Sequence, residues 1–341
     1  ELHSLCEVLG EFNRVLQIVH EFYDADITLA RIDQLAEISL KYKITTTFSP
    51  LFVNVTANDS VNRVMARVDE QFKRGARVWP QVQTRPIDIS FCFEVPSLLF
   101  IRLPSWYQIM RFGSHDDIKA AFKDEGKRKQ LVAEAKTMSP IWDGLVLRQV
   151  DSGANQHFVG KTLAEIAATR NTSTIDTMID LSIEEDLQAH FLSLNMGHTD
   201  NDAVGNLLAN PRVHLGASDG GAHILSFSTY GDTGYLFSQF VRNCKALTVE
   251  EAVKKITLDT ANIWGMNNRG LLHPGYAADV TIFDAEQIDR GEEYYVQDVP
   301  GGGSRYVRDS VGIDTVIIGG EIAYRQGEYT KSAIGSIIPG A

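Results

Sequence analysis

Cysteine is scarce in this sequence. Cys6, Cys92 and Cys244 are the three in 341 residues, far apart and without a Cys-x-x-Cys spacing. That pattern excludes a disulfide framework and a zinc knuckle, and a reducing, cytoplasmic setting is expected. No apolar run approaches the ~20 residues that span a bilayer. Charges of one sign form no blocks: 32 Lys and Arg against 44 Asp and Glu leave a net charge of −12. Neither a nucleic acid nor an anionic membrane suits such a surface as main partner. The opening Glu1–Asn13 lacks the basic start and cleavage site of a signal peptide. Pro300–Arg305 is glycine-rich but lacks the Gly-Lys-Ser/Thr of a phosphate loop, so it reads as a turn. Repeats and low-complexity tracts are missing as well.

What is present describes an ordinary globular chain, 44% hydrophobic and 22% charged, long enough for one large domain or two. Glu1 opens inside an amphipathic helical pattern, with Leu2, Leu5, Cys6 and Leu9 on one face. The helix has no N-cap residue, and we expect barrel strands upstream of Glu1.

Strand-like and helix-like runs then alternate. Arg14–His20 reads as a strand, Leu29 to Leu40 as a helix, Ile44–Pro50 as a strand. Val61 to Phe72 follows as a helix and Ala76–Pro86 as a strand. This is the pattern of β/α units around a parallel sheet, with strand C-termini on one face. From Ile87 to Asn210 the rhythm breaks, and we read a long insertion there, with a helix near Ile118–Thr137 and others around Leu163 and Leu187. Val213–Ala217 resumes the core as a buried strand. Helices are expected at Tyr235–Arg242, Val249–Ile256 and Thr260–Trp264. Beyond residue 265 the chain turns β-rich, with a hairpin about Gly319-Gly320. The expected domains are 1–264, part of a β/α barrel with its insertion at about 87–210, and 265–341, part of a small β domain.

One stretch, "GASDGGAH" (Gly216–His223), carries an acid at the end of an apolar run. From these letters alone, Asp219 either caps the next helix or sits at the catalytic rim of a barrel. Arg85 follows a strand, where it could bind a substrate carboxylate bidentately or form a salt bridge to the insertion. His198 and His157 read as surface residues of the insertion. Phe100, Trp106 and Tyr107 read as a pocket for an acyl chain or as plain packing.

"SDGGAH", "LTVEEAVKKITLDTANIWGM", "RGLLHPGYAADVTIFD" and "VQDVPGGGSRYV…GIDTVIIGGEIAYRQGEYT" occur in this order. They resemble the C-terminal part of amidohydrolases of the N-acyl-D-amino-acid deacylase (D-aminoacylase-like) family; "RVWPQVQTRPI" and "LFIRLPSWYQI" add to the resemblance. It implies an α/β fold: a partial (β/α)8 TIM-like barrel with a long insertion and a portion of a small β-sandwich domain. It also implies a metal-dependent hydrolase of linear C–N amide bonds, with one or two divalent ions, zinc in the first place, and a small N-acyl amino acid as substrate. On this resemblance Asp219 is the catalytic acid-base residue and a metal contact, and His20 is a second metal ligand. Ser218, His223 and Arg85 would touch the substrate, with a helix-start cap the other reading of His223. Asp279 would hold the β domain against the barrel.

Two departures stand out. The family's His-x-His on the first barrel strand is missing, and Pro50 stands where a second strand-end histidine would be. If Glu1 opened the natural protein, both would favour the competing expectation of a non-catalytic barrel that binds a small molecule or a partner. A cyclic-amide hydrolase of the same superfamily is a third reading.

Overall fold

The computed structural model describes residues 1–20, 24–53, 60–94, 97–138, 141–216, 231–330 and 334–338. Helix α1 (Leu2–Glu11) leads into strand β1 (Leu16–Val19), helix α2 (Ala25–Tyr42), strand β2 (Thr46–Ser49), helix α3 (Ser60–Lys73) and strand β3 (Val78–Val82). The three strands lie parallel and adjacent, with Leu16 opposite Thr46 and Thr46 opposite Val78. Local chemistry sets the ends of α2. The Asp24 carboxylate accepts from the backbone N–H groups of Asp26 and Ile27, at 2.9 and 3.2 Å, and Lys43 closes the helix at a left-handed φ of 56°.

Alternation along the strands separates two environments. Phe48, Val78 and Val82 pack against Ile32 and Leu35 of α2 and Val64 and Val68 of α3. Each such side chain, fully buried, contributes about 1.5–3 kcal/mol. On the opposite face stand Thr47 and Gln81, whose amide donates to Thr47 Oγ1 at 3.0 Å. On α1 the buried contact is Cys6, while Leu5, expected on the apolar face, is 58% exposed. Only a narrow stripe of that short helix reaches Ile38 and Ile44.

The inserted unit has its own core. Strands β4 (Ile89–Phe91), β5 (Val146–Gln149) and β6 (His190–Ser193) form an antiparallel sheet ordered β4-β6-β5. Helices α4 (Pro104–Phe112), α5 (His115–Lys123), α6 (Glu125–Ala135), α7 (Leu163–Arg170) and α8 (Thr174–Glu184) belong to the same unit. Phe100 and Trp106 are buried in this core, and Trp106 Nε1 donates to the Leu131 carbonyl at 2.9 Å. Of the two sequence readings for Phe100 and Trp106, packing is the one present. The helix expected near Ile118–Thr137 is broken at Asp124, whose carboxylate caps Lys127 N–H at 2.8 Å and restarts the chain as α6. No helix surrounds Leu187, which follows the end of α8 with φ at 67°.

Helix α9 (Asn201–Ala209) differs from the expected insertion boundary, since its Val204, Leu207 and Leu208 pack in the barrel core. Strand β7 (His214–Leu215) then pairs parallel with β3, Gln81 opposite His214, and completes the order β1-β2-β3-β7. After it come helix α10 (Asp232–Tyr235), continued in wider turns over Leu236–Asn243, then α11 (Val249–Lys254) and α12 (Thr260–Trp264).

The C-terminal part is all β. Strands β8 (Val280–Phe283), β11 (Ile313–Ile318), β12 (Glu321–Arg325) and β13 (Glu328–Tyr329) make one sheet, and β9 (Asp289–Val299) with β10 (Gly303–Val311) a long hairpin. Gly319 and Gly320, at φ 59° and 90°, supply the two left-handed positions of the tight turn between β11 and β12. Asp279 accepts from Gly319 N–H at 2.8 Å and pairs with Arg269, so its described contacts lie within this part of the chain. The β9–β10 hairpin leans on the insertion. Tyr306 Oη lies 3.0 Å from His190 Nδ1, and the Arg148 guanidinium sits 3.2 Å from the centre of the Tyr306 ring.

Candidate functional site

Parallel pairing brings the C-terminal tips of β1, β2, β3 and β7 to one edge of the sheet. The residues just beyond those tips are His20, Pro50, Gln83-Thr84-Arg85 and Gly216. Ser218, Asp219 and His223 come next after Gly216 and lie outside the described residues.

His20 is buried, and its ring meets Phe48 edge-on with centroids 4.7 Å apart. With Thr28, Pro50, Phe52, Ser60 and Val64 it lines a cavity of about 20 Å³, room for one water. Its backbone N–H donates to the Ser49 carbonyl at 3.2 Å, which joins the β1 and β2 tips. Among the described residues no group of three or more His, Cys, Asp or Glu side chains could hold a metal. The described donors therefore do not fit a metal centre on their own. A cavity of about 700 Å³ between α11 and β8 is lined by Phe237, Val253, Leu271 and Phe283 and by neither His20 nor Arg85.

Arg85 is 3% exposed and meets a carboxylate of the chain itself: its Nε donates to Asp232 Oδ2 at 3.1 Å. Asp232 also takes Thr84 N–H at 3.3 Å and Thr84 Oγ1 at 3.0 Å on Oδ1. Of the two sequence readings of Arg85, a salt bridge is present, though its partner stands at the start of α10 and not in the insertion. Asp232 escaped notice in the sequence. Its one signal was a Gly-Asp pair ahead of an apolar helical pattern, which suits an ordinary helix start equally well.

His198, expected at the surface, is 1% exposed with φ at 61°. Its Nδ1 accepts from Val53 N–H at 3.0 Å and its Nε2 donates to the Gln83 carbonyl at 2.8 Å. The returning end of the insertion is thereby pinned between the loops after β2 and β3. Burial, opposed by the Gln83 bond and helped by Arg85, pushes its pKa down to about 4. Burial does the same, to about 4, for His190 and for His214, whose Nε2 lies 3.1 Å from Thr47 Oγ1. His157, by contrast, rests on the adjacent Phe158 ring.

These three histidines give a stability–pH relation with a definite sign. Their folded pKa values, about 4, lie below the unfolded value of 6.5, so unfolding takes up protons in between. Their contribution is fully present above the unfolded value and is lost as pH falls through the folded one. The urea midpoint should therefore drop continuously from about pH 6.5 to about pH 4. A midpoint that stays flat across that interval would contradict the buried neutral state of the three.

A family model matches residues 142–324, more than half of the chain, and its description is amidohydrolase family. The chain belongs to the amidohydrolase family. An uncharacterized protein of Mycobacterium tuberculosis is 26% identical over 185 residues, 51% of this amidohydrolase chain and 30% of that protein. A dihydroorotase of Lactobacillus delbrueckii subsp. bulgaricus is 30% identical over 97 residues, 27% of this chain and 22% of the enzyme. Among solved structures, the fold is similar to N-acyl-D-glutamate deacylase from Bordetella bronchiseptica, complexed with zinc and a phosphonate inhibitor. The TM-score is 0.61 at 19% identity, over 99% of this chain and 58% of that one. D-aminoacylase follows, with a TM-score of 0.58 at 17% identity over 98% and 58%. The chain thus spans a little over half the length of the solved relatives. The fold of this chain is a partial amidohydrolase barrel with a β domain. No described helix is long and apolar enough to cross a membrane.

Proposed function

We propose that the protein represented by this chain hydrolyses linear C–N amide bonds, with N-acyl amino acids, the D series foremost, as substrates. The observation that carries this is the family match over residues 142–324, and the likeness of fold to two deacylases agrees with it. In this reading Asp219, just past β7, takes the proton of the attacking water and passes it to the leaving nitrogen as the C–N bond breaks. Ser218 and His223 flank it as substrate contacts. Arg85, held with Asp232, shapes the β3 side of the same edge.

A divalent metal belongs to the proposal, because the Bordetella relative is described as complexed with zinc. His20 and Asp219 are the proposed ligands. The described residues do not complete the set, so the remaining donors would have to come from elsewhere in the protein. Bound metal would polarise the amide carbonyl and lower the pKa of water.

The similarity to dihydroorotase over 97 residues supports a second reading, hydrolysis of a cyclic amide. Purified protein should be assayed on N-acyl-D-amino acids, their L counterparts and dihydroorotate, with zinc measured on the same samples. Turnover of the N-acyl-D series is expected. Turnover of dihydroorotate alone would replace the proposal with the cyclic reading, and zinc binding without any turnover would favour the non-catalytic one. His20→Ala should lower zinc content and activity together if the imidazole is a ligand. Unchanged zinc content would make His20 a packing residue on Phe48.

A further inference from the structure

The hairpin β9–β10 gathers guanidinium groups where it meets α10 and the insertion. Arg308 Nη2 lies 3.4 Å from Glu293 Oε2, and Arg148 contacts the other oxygen of the same carboxylate. Burial, together with the neighbouring Arg290, lowers the Arg308 pKa to about 10. Arg85 is held by Asp232. Asp289, the acid beside Arg290 in sequence, is taken by Ser238 Oγ at 2.6 Å and by Arg242 at 3.6 Å, and it caps the Arg290 backbone N–H at 2.7 Å.

Arg148 Nη1 and Nη2 lack hydrogen-bond partners, but Arg148 faces the Glu293 carboxylate, whereas Arg290 has no carboxylate in ion-pair reach among the described residues. Its guanidinium lies over the Tyr235 ring, 4.3 Å from the centroid, and its Nη1 is buried with no hydrogen-bond partner among the described residues. A buried charged donor left without an acceptor is costly, and an anionic oxygen is the group that removes the cost. The place is also confined. A Cβ at Gly231, which has φ at 93°, would lie 2.5 Å from Arg290 Cβ, and one at Gly234 would lie 2.5 Å from the Asp289 carbonyl oxygen. The start of α10 is therefore pressed against the base of the hairpin. Gly231 immediately precedes Asp232, the partner of Arg85 at the β3 tip.

We infer that Arg290 binds the free carboxylate of the substrate, with the Tyr235 ring holding its guanidinium in plane. This rests on the reading of the protein as an N-acyl amino acid hydrolase and adds a specificity residue to it. The Arg85 guanidinium is engaged by the chain's own Asp232, whereas Arg290 offers an N–H with nothing to meet. A Lys at 290 would keep the charge and lose the planar fork.

The test is calorimetric binding of N-acetylglycine and of N-acetylglycinamide, which differ in the carboxylate, to the full chain and its Arg290→Met and Arg290→Lys variants. Preference for the acid is expected at about ten- to a hundred-fold in the unaltered protein. It should collapse to near one in Arg290→Met and recover in part in Arg290→Lys. A melting curve on each variant separates loss of fold from loss of the site. Equal losses for both probes, an unchanged preference in Arg290→Met, or no preference in the unaltered protein would each overturn the assignment. Carboxylate binding through Arg290 in a protein that hydrolyses no amide would instead remove the hydrolase reading and leave Arg290 in place.

Discussion

Asp219→Asn is expected to abolish nearly all amide turnover while the fold and most bound metal persist. Asparagine keeps the shape of the side chain and one acceptor oxygen but cannot take the proton of the attacking water. A positioned general base is typically worth about 10²–10⁴-fold, so kcat should fall by that much with KM little changed. Steady-state kinetics on an N-acyl amino acid, with metal content and circular dichroism on the same preparation, would decide it. Retention of more than about a tenth of the unaltered kcat would remove Asp219 from the acid-base role. The aspartate would then fall back to its other reading, a cap on the following helix.

Asp232→Ala should be the most destabilising single change at the strand tips. It takes a carboxylate from beside the Arg85 guanidinium, both groups being nearly inaccessible at 7% and 3%. Breaking a buried pair from one side costs about 3–5 kcal/mol, because the remaining charge stays in a medium of low dielectric. Two Thr84 hydrogen bonds to the same carboxylate are lost with it. Urea denaturation of the variant would measure the loss. The double change Arg85→Met with Asp232→Leu should recover a large part of it, since apolar replacement of both partners is often neutral or better. A single-variant loss below about 1 kcal/mol would place the pair with weak, solvent-screened surface bridges.

The sequence alone settled the periodic features. Strands β1, β2, β3 and β7 and the helices α2 and α3 were legible because apolar spacing records which face is buried. The Gly319-Gly320 turn was legible because few other residues accept two successive left-handed positions. Family membership was legible too, from collinear motifs whose spacing a chance chain would not reproduce.

What the tertiary structure decided are the pairings between distant segments. Sequence spacing carries no information on which buried charge meets which. Arg85 was visible as a strand-end cation, but that its acid is Asp232, 147 positions on, depends on the crossover that brings α10 to the β3 tip. His198 read as a surface residue because polar neighbours surround it in "NMGHTDND". Only the return of the insertion to the barrel buries it between Val53 and Gln83. The same holds for Trp106 and Phe100, whose aromatic run fits a pocket and a core equally well until the sheet beneath them is in place. Arg290 had no local signal at all, since the burial of its Nη1 without an acceptor or a paired carboxylate is created by the hairpin folding onto Tyr235 and Gly231.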